Sequence, residues 1–225
     1  MIKLFIFDLD GVITSTSNEH FHAWKMIIKE RFDIDVNDSV EHLTKGVSRM
    51  ESLNRILVSI GLSIAISNEE KEQLAHKKNE LYKSLISNFN KNNIYPGVIK
   101  LFEYLKEKDI LIALGSASKN GPTLISSLGI KDYFDYVVDP ANLNSKPHPD
   151  IFNKAMNHFE LLPSDCVGIE DAISGVTSIK SANMYAIGIG DKEQLNHADV
   201  VFKNINEIDC KFLENLIEGD YGKVS

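Results

Sequence analysis

The sequence predicts a doubly wound α/β fold with a mainly parallel sheet, interrupted near its start by an inserted all-helical cap domain. Three observations carry this expectation. Short runs of β-branched and aromatic residues alternate with helical patterns along most of the chain, the pattern of parallel strands joined by crossover helices. One stretch, Ser17–Asn90, breaks that alternation and holds no convincing strand. Chemically useful polar residues also stand directly after several apolar runs, where an open α/β sheet presents the carboxyl ends of its strands to a ligand.

The first run, Ile2–Phe7, is nearly continuous in apolar residues, as expected of a strand buried on both faces. Similar runs recur at Ile110–Gly115, Tyr136–Asp139, Cys166–Glu170 and Tyr185–Gly190, and Val200–Phe202 adds an edge strand. Helical patterns between them cover Gly97–Lys108, Gly121–Leu128, Pro149–Phe159 and Ala172–Ser181. The insertion reads as helices at His20–Arg31, near Asn37–Leu43, at Ser48–Ile60 and at Glu69–Phe89. Ser48 with Glu51, and Ser67 with Glu70, fit the Ser-x-x-Glu capping box and place two helix starts. The Tyr95-Pro96-Gly97 turn closes the insertion. The expected division is an α/β core of residues 1–13 and 93–225 and a helical domain of residues 14–92.

A chain of 225 residues accommodates one large domain or two modest ones. Its 43% hydrophobic and 25% charged residues are ordinary for a soluble globular protein. With 24 basic against 32 acidic residues the net charge is −8, which argues against a broad nucleic-acid surface but leaves room for a local anion site. Cys166 and Cys210 have no metal or redox spacing, so no disulfide framework is expected. The N-terminal apolar run is too short for a signal segment and meets Asp8, and no run approaches the ~18 apolar residues of a membrane span. The expectation is a cytoplasmic monomer acting on small molecules, with neither nucleic acid nor membrane as partner.

Asp8-Leu9-Asp10-Gly11 follows the first strand directly. A carboxylate there can attack phosphorus, and a second one two residues on can return to the same place through a tight turn that Gly11 permits. Taken alone the pair also reads as loop acids capping a turn. Ser116, after the strand Ile110–Gly115, offers a hydroxyl and nearby amides to phosphate oxygens. Lys146 supplies a cation for a nucleophile and a transferring phosphoryl group. Glu170-Asp171 ends another strand with hard oxygen ligands suited to Mg2+. Singly these residues are ordinary caps and surface groups; placed after different strands, they converge on one crevice.

With these four motifs in order and a helical interval after the first, the chain resembles the haloacid dehalogenase superfamily of phosphotransferases over nearly its whole length. Thr16, His20-Phe21 with Ala23-Trp24, Lys45-Gly46-Val47-Ser48-Arg49 and Ser116-Ala117-Ser118-Lys119-Asn120-Gly121 sharpen the likeness to its sugar-phosphomutase branch. The resemblance implies that Asp8 is the nucleophile and forms an aspartyl phosphate, and that Asp10 is the acid/base. It further implies that Ser116, Ala117 and Lys146 hold the transferring group, with Ser118, Lys119 and Asn120 continuing that loop. Mg2+ would bind Asp8, the Asp10 carbonyl and Asp171, with Glu170 supporting or joining the shell. His20 would serve closure and the positioning of Asp10, with Thr16 beside it, and Trp24 would wall the sugar.

A mutase, unlike a phosphatase, needs a cap that excludes water and holds a second phosphate away from the nucleophile. Lys45 and Arg49 flank the capped helix start at Ser48. In isolation they read as a solvated basic helix end, but within the matching run Arg49 is the candidate for the distal phosphate because its planar fork binds two oxygens at once. The implied reaction interconverts β-D-glucose 1-phosphate and D-glucose 6-phosphate through β-D-glucose 1,6-bisphosphate, which also primes the enzyme. The alternatives are a capped sugar-phosphate phosphatase and a non-catalytic sugar-phosphate sensor. Two departures from relatives stand out: His76 occupies a cap position where they carry lysine, and Ser15 replaces an acidic residue between two threonines.

Overall fold

Strand β1 (Leu4–Phe7) occupies the interior of a six-stranded sheet in the computed structural model, which describes residues 1–44 and 47–219. The other strands are β2 (Leu111–Leu114), β3 (Tyr136–Val137), β4 (Cys166–Glu170), β5 (Tyr185–Ile189) and β6 (Val200–Phe202). Their order is β3-β2-β1-β4-β5-β6 and every pairing is parallel. The strand order reverses between β1 and β4, so their carboxyl ends border the crevice where such sheets bind ligands.

The apolar run of β1 is explained by burial on both sides. Leu4 and Ile6 point one way, into a core with Ile151, Phe152 and Ala155 of helix α6 (Asp150–His158) and Val176 and Ile179 of helix α7 (Ile173–Ser181). On the other face Phe7 meets Phe102 of helix α4 (Val98–Glu107) edge-on, with ring centroids 5.0 Å apart. Helix α5 (Gly121–Ser127) follows β2.

The chain divides into two compact units, residues 1–15 with 90–225, and residues 16–89. The second is all-helical, with α1 (Ser17–Phe32), a 3-10 turn at Asp38–Thr44, α2 (Arg49–Ser59) and α3 (Asn68–Leu85). Phe21, Trp24, Ile28, Leu53, Ile56 and Leu74 are in its core. Ser48 and Ser67 cap α2 and α3 by accepting the Glu51 and Glu70 amides. The glutamate side chains pair with Arg55 and Arg31 respectively.

Differences from the sequence reading lie at element ends. Strand β1 begins at Leu4 because the amides of Ile2 and Lys3 donate to the Ile217 and Asp165 carbonyls. Helix α3 stops at Leu85, and the chain to Phe89 forms turns through Ser87 and Phe89 amide bonds. Helix α8 (Cys210–Glu218) was not expected; Asp209 caps it by accepting the Phe212 amide, and Phe212 packs edge-on to Phe202. No helix among the described residues is long and apolar enough to cross a membrane.

Phe102 is fully buried against Phe7, Tyr133 and Phe134. Phe102→Ala is expected to destabilise the chain by about 3–5 kcal/mol, checked by urea unfolding.

Candidate active site

Parallel pairing of β1 with β4 sets Phe7 opposite Ile169, so Asp8 and Glu170 emerge side by side at the carboxyl ends. The Asp8 amide donates to the Ile169 carbonyl at 3.0 Å, extending the ladder to the first acidic residue. Lys146, from the loop before α6, places its ammonium between the two carboxylates. Its Nζ lies 2.6 Å from Asp8 Oδ1 and also bonds Glu170 Oε1. All three residues are buried. Burial works against the ammonium, but Asp8 and Glu170 outweigh it and hold the Lys146 pKa above the ordinary lysine value. Burial, with Asp8 adding to it and Lys146 opposing it, raises the Glu170 pKa.

Glu170 is fixed on both oxygens. Oε1 meets Lys146, while Oε2 accepts the Asp171 and Ala172 amides at 3.0 and 3.2 Å. Gly175 of α7 brings its bare Cα against the carboxylate: a Cβ there would stand 1.9 Å from Glu170 Cδ. Gly11 does the same for the neighbouring acid. Its φ of +80° suits glycine, and a Cβ would fall 1.9 Å from Asp171 Oδ2. Both glycines therefore position carboxylates by leaving room for them.

Asp8, Glu170 and Asp171 can each turn one ligand oxygen to within 4.8 Å of the others. The donors of this group are all hard oxygens. Mg2+ fits such a set, with Asp8 and Asp171 as direct candidates and Glu170 held by Lys146 and two amides. Asp10, partly exposed, begins a tight turn in which the Gly11 amide donates to the Thr14 carbonyl at 2.8 Å.

The Ser116 loop leaves β2 beside β1, through a Gly115 amide bond of 2.8 Å to the Phe7 carbonyl. Ser116 is buried and accepts the Ser118 amide at 3.1 Å, which fixes its oxygen while its own proton remains a donor. Ser118 in turn accepts the Asn120 amide at 3.3 Å. Ala117 is half-buried, Lys119 exposed and Asn120 buried at the start of α5.

The helical unit contains a second set of polar residues. Lys78 is buried on α3 and its ammonium bonds His20 Nδ1 on α1. Lysine has only donors, so Nδ1 accepts and the ring proton sits on Nε2. Burial, then the charges of Lys78 and Arg49, hold the His20 pKa well below the ordinary histidine value. Lys78 Nζ also lies 5.3 Å from the Trp24 ring and 4.8 Å from that of Tyr82. The Tyr82 hydroxyl donates to Thr16 Oγ1 at 3.0 Å. Arg49 donates through Nη2 to Asn79 Oδ1 at 2.7 Å. Val47 is buried and the Ser48 hydroxyl is engaged as the α2 cap. Lys45 and Gly46 lie outside the described residues.

The reading of His76 as the replaced cap lysine needs correction. His76 and Lys77 are exposed, whereas the phase of α3 carries Leu74, Lys78 and Tyr82 inward at four-residue intervals. The buried lysine is Lys78. Together with Tyr82 and Asn79 it was missed, although the same spacing in sequence puts a lysine on an otherwise apolar helix stripe.

Known proteins resemble this chain in sequence and in fold. A model of the haloacid dehalogenase-like hydrolases matches residues 2–183. The chain is 41% identical over 213 residues to the beta-phosphoglucomutase of Bacillus subtilis, covering 94% of each. It is 28% identical to a phosphorylated carbohydrates phosphatase of Thermotoga maritima, covering 81% of this chain and 82% of that one. The crystal structure of beta-phosphoglucomutase from Clostridium difficile superposes with a TM-score of 0.93 at 40% identity, covering 98% of this chain and 99% of that one.

The Gly175 contact is testable through stability. Alanine in a helix interior is favoured over glycine by about 1 kcal/mol, yet Gly175→Ala is expected to destabilise by about 1–3 kcal/mol because of overlap with Glu170. Urea unfolding of the wild-type and Gly175→Ala chains checks this.

Proposed function

Because the chain belongs to the haloacid dehalogenase-like hydrolase family, a family of enzymes, we propose that it is a Mg2+-dependent β-phosphoglucomutase. It interconverts β-D-glucose 1-phosphate and D-glucose 6-phosphate, with β-D-glucose 1,6-bisphosphate as intermediate and priming phosphoryl donor. The observation that carries this reading is the buried Asp8–Lys146–Glu170 group beside Asp171, joined to 41% identity with a named mutase along nearly the full chain.

In this reading Asp8 attacks the phosphorus of the bisphosphate, and the bond from phosphorus to the sugar oxygen breaks as the aspartyl phosphate forms. Asp10 gives its proton to that departing oxygen, and in the reverse sense removes the proton from the hydroxyl that attacks the phosphoenzyme. Lys146 balances charge on Asp8 and on the transferring oxygens, and Ser116 donates to one of them. When bound, Mg2+ neutralises charge on the phosphoryl group; Asp8 and Asp171 are the side chains that would hold it, with the Asp10 carbonyl. Arg49, already ordered by Asn79, takes the phosphate that is not transferring. The helical unit thus serves as the cap that distinguishes transfer to sugar from transfer to water.

The test supplies β-D-glucose 1-phosphate, Mg2+ and trace bisphosphate and follows glucose 6-phosphate and free phosphate separately. Glucose 6-phosphate as the main product is expected. Predominant free phosphate would instead establish the phosphatase reading, which the Thermotoga relative favours, and neither product from folded, primed protein would leave a sensor. Asp10→Asn keeps the backbone carbonyl, so Mg2+ binding should stay near wild type while turnover falls about 10²–10⁴-fold. Undiminished turnover in that variant removes Asp10 from acid/base chemistry.

A further inference from the structure

Tyr82 touches three residues of the helical unit at once. Its ring stacks on His20 with centroids 3.8 Å apart and planes 11° from parallel. Its hydroxyl donates to Thr16 Oγ1 at 3.0 Å. The Lys78 ammonium lies 4.8 Å from its ring centroid. The side chain is buried at 1% exposure. An aromatic that merely filled the core would be served as well by phenylalanine, since burying a hydroxyl is unfavourable unless it is bonded. Here the bond goes to a residue in an unusual state: Thr16 stands at the N-cap of α1 yet makes no side-chain cap, and its hydroxyl is engaged by Tyr82.

The stack has a second consequence. Rotation of the His20 ring about its Cβ–Cγ bond would exchange Nδ1 with a carbon and break the bond to Lys78. A parallel ring at van der Waals distance opposes that rotation, while one turn along α3 separates Tyr82 from Lys78, so one helix face sets both the ring plane and its hydrogen-bond donor. We infer that Tyr82 is a positioning residue, whose ring aligns His20 with Lys78 and whose hydroxyl holds Thr16 in place. This rests on the reading that His20, with Thr16 beside it, serves closure and the positioning of Asp10 in sugar-phosphate turnover.

Lys78 and Tyr82 of α3 and Arg49 of α2 face His20. In wild type the imidazole should stay neutral to pH values below the ordinary histidine range, as followed by NMR of the His20 ring. Tyr82→Phe keeps the stack and loses the Thr16 bond. It should leave that titration unchanged and lower kcat/KM for β-D-glucose 1-phosphate about threefold to tenfold, the scale of one hydrogen bond. Tyr82→Leu loses both contacts; the His20 midpoint should rise toward the ordinary value and kcat/KM fall about a hundredfold. Binding of Mg2+ alone, a property of the other unit, should be unchanged in both variants. A folded Tyr82→Leu chain with wild-type His20 titration and turnover overturns the proposal. If that variant does not fold, wild-type kcat/KM in Tyr82→Phe overturns it. Wild-type protein that makes no glucose 6-phosphate would remove the mutase reading, while the His20 titration, which needs no substrate, still decides whether Tyr82 governs that ring.

Discussion

The Lys146 ammonium between Asp8 and Glu170 is the interaction on which the α/β unit is organised. It joins the ends of two neighbouring strands to the loop before α6, and each partner is buried. An unpaired charge there would be untenable, so the three residues must assemble together or not at all. The surrounding fold meets that demand with close tolerances. The amides of Asp171 and Ala172 satisfy the second Glu170 oxygen, and the missing side chains of Gly11 and Gly175 leave space for Asp171 and Glu170. Asp8, Glu170 and Asp171 are thereby gathered as a set of hard oxygen donors.

The helical unit solves a different problem with another buried lysine. Lys78 meets a neutral imidazole and two aromatic faces. Lys146 is matched by carboxylates that stabilise its charge; Lys78 lies against the imidazole and the two rings, and burial, with the charges of Lys78 and Arg49 added to it, holds the His20 pKa well below the ordinary histidine value. Arg49 adds a second cation in the same unit, bonded to Asn79.

Much of this was legible in the sequence because its physical signals are local. A doubly buried strand requires an apolar run such as Leu4–Phe7, Ser48 and Ser67 announce helix starts by their spacing to Glu51 and Glu70, and acidic residues after a strand must lie at its carboxyl end. Helix α8 was not legible, since its single cap at Asp209 and short apolar stripe resemble a tail until Phe202 is there to receive Phe212. A lysine in the run His76-Lys77-Lys78 reads as solvated in sequence; only the phase of α3, set by Leu74 and Ala75 packing inward, turns one of the three residues, Lys78, to the interior.

By itself, then, the sequence determined the strand–helix alternation, the place of the helical insertion and the identities of Asp8, Asp10, Ser116, Lys146, Glu170 and Asp171, because strand burial, helix capping and strand-end chemistry act over a few residues. The tertiary structure decided how those groups share charge and space. That Glu170 meets Lys146, that Gly175 must lack a side chain and that Tyr82 ties Thr16 to His20 are facts about residues 5 to 66 positions apart. Such relations depend on strand register and helix phase, which packing sets collectively and no short stretch of chain encodes.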